Sequence, residues 1–268
     1  MNIELNHLTV LIRGGGELAS GVARRLHQCH FKVCLTEVPD PLAVRREVAF
    51  SEAVHLGSKE IEGVTARLVE DLAGIQRSWQ RNEFPLLIDP DAVIKNTLKP
   101  HVMVDATLAK RNLGTSLTDA PLVIGLGVGF EAGIDTHVVI ETNRGHNLGK
   151  VIHQGKAEPD TGIPGEISGF TVERVLRAPV AGIFTTGYDI GDRLRKGQTV
   201  ATVAGIPLKA ELSGVIRGLL RNGTAVKAIT KVGDIDPRGV NDYCFTVSDK
   251  ALAIAGGVLE AILARFNT

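Results

Sequence analysis

Three consecutive glycines stand where a short apolar run gives way to a helix-forming one, in Arg13-Gly14-Gly15-Gly16-Glu17-Leu18-Ala19. Gly14, Gly16 and Ala19 fit the pattern G-x-G-x-x-A, and each position has a physical task. Gly14 permits a tight turn, Gly16 lets backbone approach an anion, and Ala19 lets the helix lie close on the strand. Unpaired N–H groups and the positive dipole end of the helix then favour a phosphate. Glu37, 21 residues beyond Gly16, ends the next apolar run. A carboxylate there accepts hydrogen bonds from ribose hydroxyls and disfavours a 2′-phosphate. The pattern predicts a nucleotide-like ligand held by Arg13, Gly14, Gly15, Gly16, Glu17, Ala19 and Glu37. The sequence also leaves open a tight strand–helix turn with no ligand. Glu17 stabilises the helix start but competes with phosphate.

Other polar residues fall where such a ligand could meet them. Asp89, Asp105 and Thr107 end successive apolar runs, and Lys110-Arg111-Asn112 follow; Arg45 and Arg46 lie past the second run. Each could equally be a cap or a surface charge. Arg144, His146 and Asn147 form a second cluster, in which Arg144 and His146 are ligand contacts or solvated turn residues around Gly145. His146 could act as a general base near neutral pH. No paired nucleophile, acid–base couple or metal set accompanies it, so no catalytic residue is assigned and enzymatic activity stays open. His27, Cys29, His30 and Cys34 lack a recognised ligand spacing, and no metal is expected. With Cys244, the cysteines number three, which suggests a reducing compartment rather than a disulfide framework.

The elements that must position these residues alternate along the first 130 residues. Strands are expected at 8–12, 32–36, 53–56, 86–88, 102–104 and 121–125, and helices at 18–27, 41–48, 64–80 and 91–98. Short apolar runs separated by helices predict an α/β fold with a Rossmann-like, doubly wound parallel sheet, whose ligand sits at the carboxyl ends of its strands. Residues 131–175 read as a connecting β region. Residues 176–247 contain a repeat with an offset of 32: 176–184 resembles 208–216, and Gly191, Leu194, Val200 and Val203 map to Gly223, Val226, Val232 and Ile235. Two such halves, each without a complete core, should pair into one small duplicated all-β barrel-sandwich. This stretch resembles the biotinyl/lipoyl-like barrel through Ala178-Pro179, Gly182, Ile190-Gly191-Asp192 and Lys196-Gly197-Gln198. The hairpin at 204–207 carries no lysine, so no swinging arm is expected. A final helix is expected at 248–268, with Gly256-Gly257 packed closely on a neighbour.

Lysines plus arginines number 30, as do aspartates plus glutamates, so there is no electrostatic footprint for nucleic acid or an anionic membrane. The longest apolar stretch, 251–264, is shorter than the ~20 residues needed to span a bilayer. Neither a signal peptide nor a spanning segment is read, and a cytoplasmic location is expected.

The chain also resembles the YqeB family nearly end to end. The resemblance rests on the glycine segment through Gly21, on Glu37 and Pro41 followed by Arg45-Arg46, and on Gly125-Leu126-Gly127 with Gly129-Phe130. It continues through Glu141-Thr142, Arg144 to Gly149, Thr161-Gly162 with Pro164-Gly165, and Glu173 to Pro179. Val128 departs from the proline of that family's glycine loop. The resemblance implies an accessory or maturation role for a selenium-dependent molybdenum hydroxylase. Its partners would be that hydroxylase or its maturation machinery. The ligand would be a nicotinamide or adenine nucleotide, or the molybdenum cofactor (molybdopterin). Two alternatives remain: an NAD-dependent oxidoreductase, or a non-catalytic interaction module.

Overall fold

The computed structural model describes residues 4–267; residues 1–3 and Thr268, the extreme ends of the first and last expected segments, lie outside the described residues. By internal contacts the chain divides into two units: 1–41, 49–160 and 247–268 form the first, and 42–48 with 161–246 the second. The division at 246/247 lies within one residue of the boundary expected after 247, no division falls after 130 or 175, and the C-terminal helix belongs to the first unit.

Among the described residues the first unit holds eleven strands: β1 (Thr9–Arg13), β2 (Lys32–Glu37), β3 (Ser58–Ile61), β4 (Val64–Leu68), β5 (Phe84–Ile88), β6 (Val102–Asp105), β7 (Leu122–Leu126), β8 (Glu131–Ala132), β9 (Val138–Ile140), β10 (Val151–Ile152) and β11 (Gly155–Lys156). Five helices accompany them: α1 (Glu17–Gln28), α2 (Ala53–Leu56), α3 (Leu72–Gln80), α4 (Lys95–Leu98) and α5 (Asp249–Phe266). Nine strands form one sheet in the order β10-β9-β7-β6-β1-β2-β5-β4-β3, and β8 pairs with β11 apart from it. From β4 to β9 the neighbours are parallel, and both edge pairs, β3–β4 and β9–β10, are antiparallel. The expected doubly wound parallel sheet is therefore corrected to a mixed one.

The cause of one antiparallel edge is local. Glu62 and Gly63, with φ of 46° and 79°, make a two-residue turn of the kind that closes hairpins. The alternation Ile61, Val64, Ala66 then buries one face. Helical spacing at Val64 and Leu68 thus misread a strand, and the helix starts only where the Asp71 carboxylate accepts from Gly74 N–H at 2.7 Å. Residues 53–56, expected as a strand, form α2, while 41–48, expected as a helix, holds only a short 3-10 turn at Arg46–Val48.

One face of the sheet buries Leu11, Cys34, Leu87, Met103 and Val123 against Ile75 of α3. Elsewhere in this unit α5 packs on α1 and on β7, β9 and β10. Its start is capped by the Ser248 hydroxyl, which accepts from Ala251 N–H.

The second unit holds β12 (Val175–Arg177), β13 (Gly182–Thr185), β14 (Arg193–Leu194), β15 (Thr199–Val203), β16 (Ile206–Lys209), β17 (Gly214–Leu219), β18 (Ala225–Val226) and β19 (Lys231–Asp236). They make two four-stranded sheets, β12-β19-β17-β14 and β16-β15-β13-β18. The 32-residue offset carries β13, β14 and β15 onto the starts of β17, β18 and β19, and so relates one sheet to the other. Each sheet takes strands from both halves, so neither half forms a sheet alone. Between the sheets lie Phe184, Val200, Val203, Ile216, Leu219, Val232 and Ile235. Residues 42–48 clip to this unit, with Leu219 N–H donating to Val44 O at 2.7 Å.

The two adjacent glycines of α5 are not equivalent. A Cβ at Gly257 would lie 2.1 Å from Gly149 O, whereas one at Gly256 would approach only Arg25 Nη1, at 3.7 Å. Gly256→Ala should therefore stabilise the unit by about 1 kcal/mol through helix propensity. Gly257→Ala should destabilise it by about 1–3 kcal/mol through overpacking. Urea unfolding of the two variants should move the midpoint in opposite directions.

Candidate anion site at the glycine turn

The three glycines have three different neighbours. Gly14, with φ of 105°, donates its N–H to Thr36 O at 2.7 Å, and a Cβ there would lie 3.0 Å from Ala106 O. At Gly15 a Cβ would lie 3.0 Å from Ser51 N, whose N–H donates to Gly15 O at 2.8 Å. Gly16 caps α1 in extended backbone, supplies no side chain to the helix N–H groups, and a Cβ there would meet nothing within 4 Å. The first two glycines are demanded by the protein packing on itself. The third leaves open space before an uncapped helix start. Ala19 is buried, as its packing task requires, and Glu17 lies in the first turn of α1.

Glu37 forms part of the turn's wall. Its Oε2 accepts from Gly15 N–H and its Oε1 from Val38 N–H, both at 2.8 Å. Burial pushes its carboxyl above the ordinary carboxylate range, against the lowering effect of the two N–H bonds. Ser20 completes the wall, accepting from Phe50 N–H at 2.8 Å and donating to Gly15 O at 3.1 Å.

Arg13, expected to touch ligand, is 5% exposed and spends its donors on the protein. Nε donates to Pro90 O at 2.8 Å; Nη1 reaches Leu113 O at 3.2 Å and both Asp105 Oδ2 and Thr115 Oγ1 at 3.4 Å; Nη2 reaches Asp91 at 3.4 Å. Asp105, fully buried, accepts from the hydroxyls of Thr107 and Thr115, each at 2.6 Å. Asp89 accepts from Ile94 N–H within its own turn. Lys110 pairs with Asp160.

Most of the remaining expected contacts bond to protein groups of their own. Arg45 and Arg46 belong to the second unit, where Arg45 donates to the carbonyls of Tyr243 and Thr246, and Arg46 to Leu219 O and Asp189. Arg144 forms a two-bond pair with Asp249, Asn147 donates to Glu158, and His146 is exposed. The Arg144–His146–Asn147 cluster is thus divided among separate partners. Cys34 is buried, and burial, reinforced by Asp89, pushes its thiol far above the ordinary range; Cys29 is exposed. Among the described residues no group of three or more His, Cys, Asp or Glu side chains could hold a metal ion. Ser20 and Thr115 escaped sequence reasoning, since isolated hydroxyl residues carry no spacing signal.

No family model matches the chain. It is 49% identical over 257 residues, 96% of its length, to the uncharacterized protein YqeB of Escherichia coli (strain K12). That identity supports the YqeB family. The chain covers 48% of that relative, and so spans about half its length. Similar solved structures include a succinylglutamate desuccinylase/aspartoacylase from Rhodobacter sphaeroides, 15% identical with a TM-score of 0.27. Others are an aspartoacylase family protein from Mesorhizobium loti, 12% identical at 0.27, and the ectoine utilization protein EutE (DoeB) of Ruegeria pomeroyi, 13% identical at 0.26. For each, the match covers 85% of this chain and 85% of the other. At such TM-scores the solved structures carry no argument about fold or chemistry. The doubly wound class is corrected by the mixed sheet itself, and none of these comparisons supports the biotinyl/lipoyl-like class or the expected role in maturing a selenium-dependent molybdenum hydroxylase. Among the described residues no helix is long and apolar enough to cross a membrane.

Glu37 gives the turn a pH signature. Because burial raises its folded pKa, its contribution is fully present below the unfolded value of 4.5 and is lost as pH rises through the folded pKa. Unfolding free energy measured in urea from about pH 4 to pH 7 should therefore fall more, or rise less, in the wild type than in Glu37→Gln. Parallel pH curves for the two proteins would contradict this.

Proposed function

We propose that the first unit binds a small nucleotide-like molecule through its phosphate at the N-terminus of α1. The observation that carries this reading is the open space at Gly16 before an uncapped helix start. Its position in the sheet adds support. The chain runs from β1 outward through β2 and later returns to the other side of β1 as β6. In open α/β sheets, ligands gather outside the carboxyl ends of the strands where the order reverses in this way. Backbone N–H groups at the start of α1 would meet the phosphate, with the helix dipole behind them. Glu37 stands beside the turn, and its two oxygens keep lone pairs for ligand hydroxyls. A cytoplasmic location belongs to the same proposal.

The test exploits the room at residue 16. Aspartate is a better helix cap than glycine by a few tenths of a kcal/mol. Its carboxylate would also occupy the donors that a phosphate needs. Gly16→Asp should therefore keep or slightly raise Tm while abolishing binding of AMP, ADP or NAD+ in calorimetric titration. Absence of binding by all three to the wild type, or undiminished binding by Gly16→Asp, would refute the reading.

A further inference from the structure

We propose that residues 106–116 form a strap that gates the crevice between β1 and β6, with Arg13 as its latch. The strap leaves the carboxyl end of β6 beside the reversal in strand order and contains no helix or strand. Its root packs on the glycine turn, as the close approach of Ala106 to Gly14 shows. Its far end is held by side-chain bonds: Thr115 donates to Asp105 Oδ2 at 2.6 Å, and Arg13 reaches both Leu113 O and the Thr115 hydroxyl. Asn112 shapes the return, accepting from Gly114 and Thr115 N–H at 2.9 and 2.8 Å.

Between these anchors the strap buries little. Ala106 and Thr115 are buried, but Leu108 and Leu113 are 39% and 40% exposed. Leu108 and Lys110 have φ of 53° and 60°, a left-handed backbone that side chains adopt only when surroundings impose it. The middle rests on backbone at Gly129, where a Cβ would lie 2.7 Å from Arg111 N, and Lys110 pairs with Asp160. A segment with few buried apolar contacts and a polar latch opens locally at lower free energy than its unit unfolds. Arg13 is accordingly a positioning residue, which closes the strap on the edge where the proposed ligand enters.

Lys110 and Arg111 place two trypsin sites in the strap. Thr115→Val deletes the hydroxyl shared by Arg13 and Asp105 but leaves those two charges facing each other. It should raise the rate of tryptic cutting after residues 110 and 111 on the order of tenfold, with hydrogen exchange in β7 and α5 unchanged. Arg13→Lys should raise the rate further, and Thr115→Ser should restore wild-type cutting. Equal cutting of wild type and Thr115→Val would overturn the latch, as would faster exchange throughout the unit. The idea that a ligand enters here rests on the proposed function, but the cutting experiment contains no ligand. A failed latch and a failed nucleotide titration are therefore separate results.

Discussion

The carboxyl edge of the first unit is organised by one buried ion pair. Arg13 is 5% exposed and Asp105 fully buried, and withdrawing such charges from water costs several kcal/mol per ion unless their hydrogen bonds are met. Meeting them fixes the neighbourhood. Arg13 draws in the carbonyl of Pro90 beyond β5 and the carbonyl of Leu113 beyond β6, and Asp105 draws in Thr107 and Thr115. Two successive connections are thereby tied to the end of a central strand. The glycines respond to the same constraint: with the root of the strap lying on residue 14, only glycine fits there.

The second unit solves a different problem. Two similar halves, each too small for a core, exchange strands so that both sheets draw on both halves. Its charged residues also sit in pairs. Arg174 donates to Asp234 at 2.6 Å, and Arg238 meets both oxygens of the fully buried Asp236. Burial alone would raise the Asp236 carboxyl, but the bonds from Arg238 and the charge of Arg217 outweigh it and hold it below the ordinary range. Its stabilising contribution is therefore present above the unfolded pKa and lost as pH falls through the folded one.

The parts of this architecture legible in the sequence are those written in local periodicity. The runs at β1, β2, β6 and β7 are short, apolar and bounded by glycine, proline or acid, so strand positions emerged within a residue or two. The repeat emerged because identical spacing over two halves does not depend on what surrounds it. The hairpin of β3 and β4 did not, since Val64, Leu68, Leu72 and Ile75 keep helical spacing across a strand, a cap and a helix. Partners distant in sequence were illegible for the same reason. Arg13 with Thr115 and Arg144 with Asp249 meet only through tertiary folding, and their residue types alone fit a ligand contact as well as a structural bond.

The glycine turn shows why the ambiguity is physical. Glycine is needed wherever a backbone must come close, and the pattern does not say whether the approaching group is a ligand or the chain itself. Here Ala106 comes close to Gly14, and Ser51 with Glu37 comes close to Gly15, so two of the three positions are explained with no ligand. Only Gly16 is unexplained by packing, and it is also where α1 lacks a side-chain cap. Any anion recognised by this turn would therefore meet the helix start rather than the N–H of Gly15, which already donates to Glu37. That restriction favours one phosphate group over an extended pyrophosphate, because the donor on the strand side of the turn is occupied by the protein's own carboxylate.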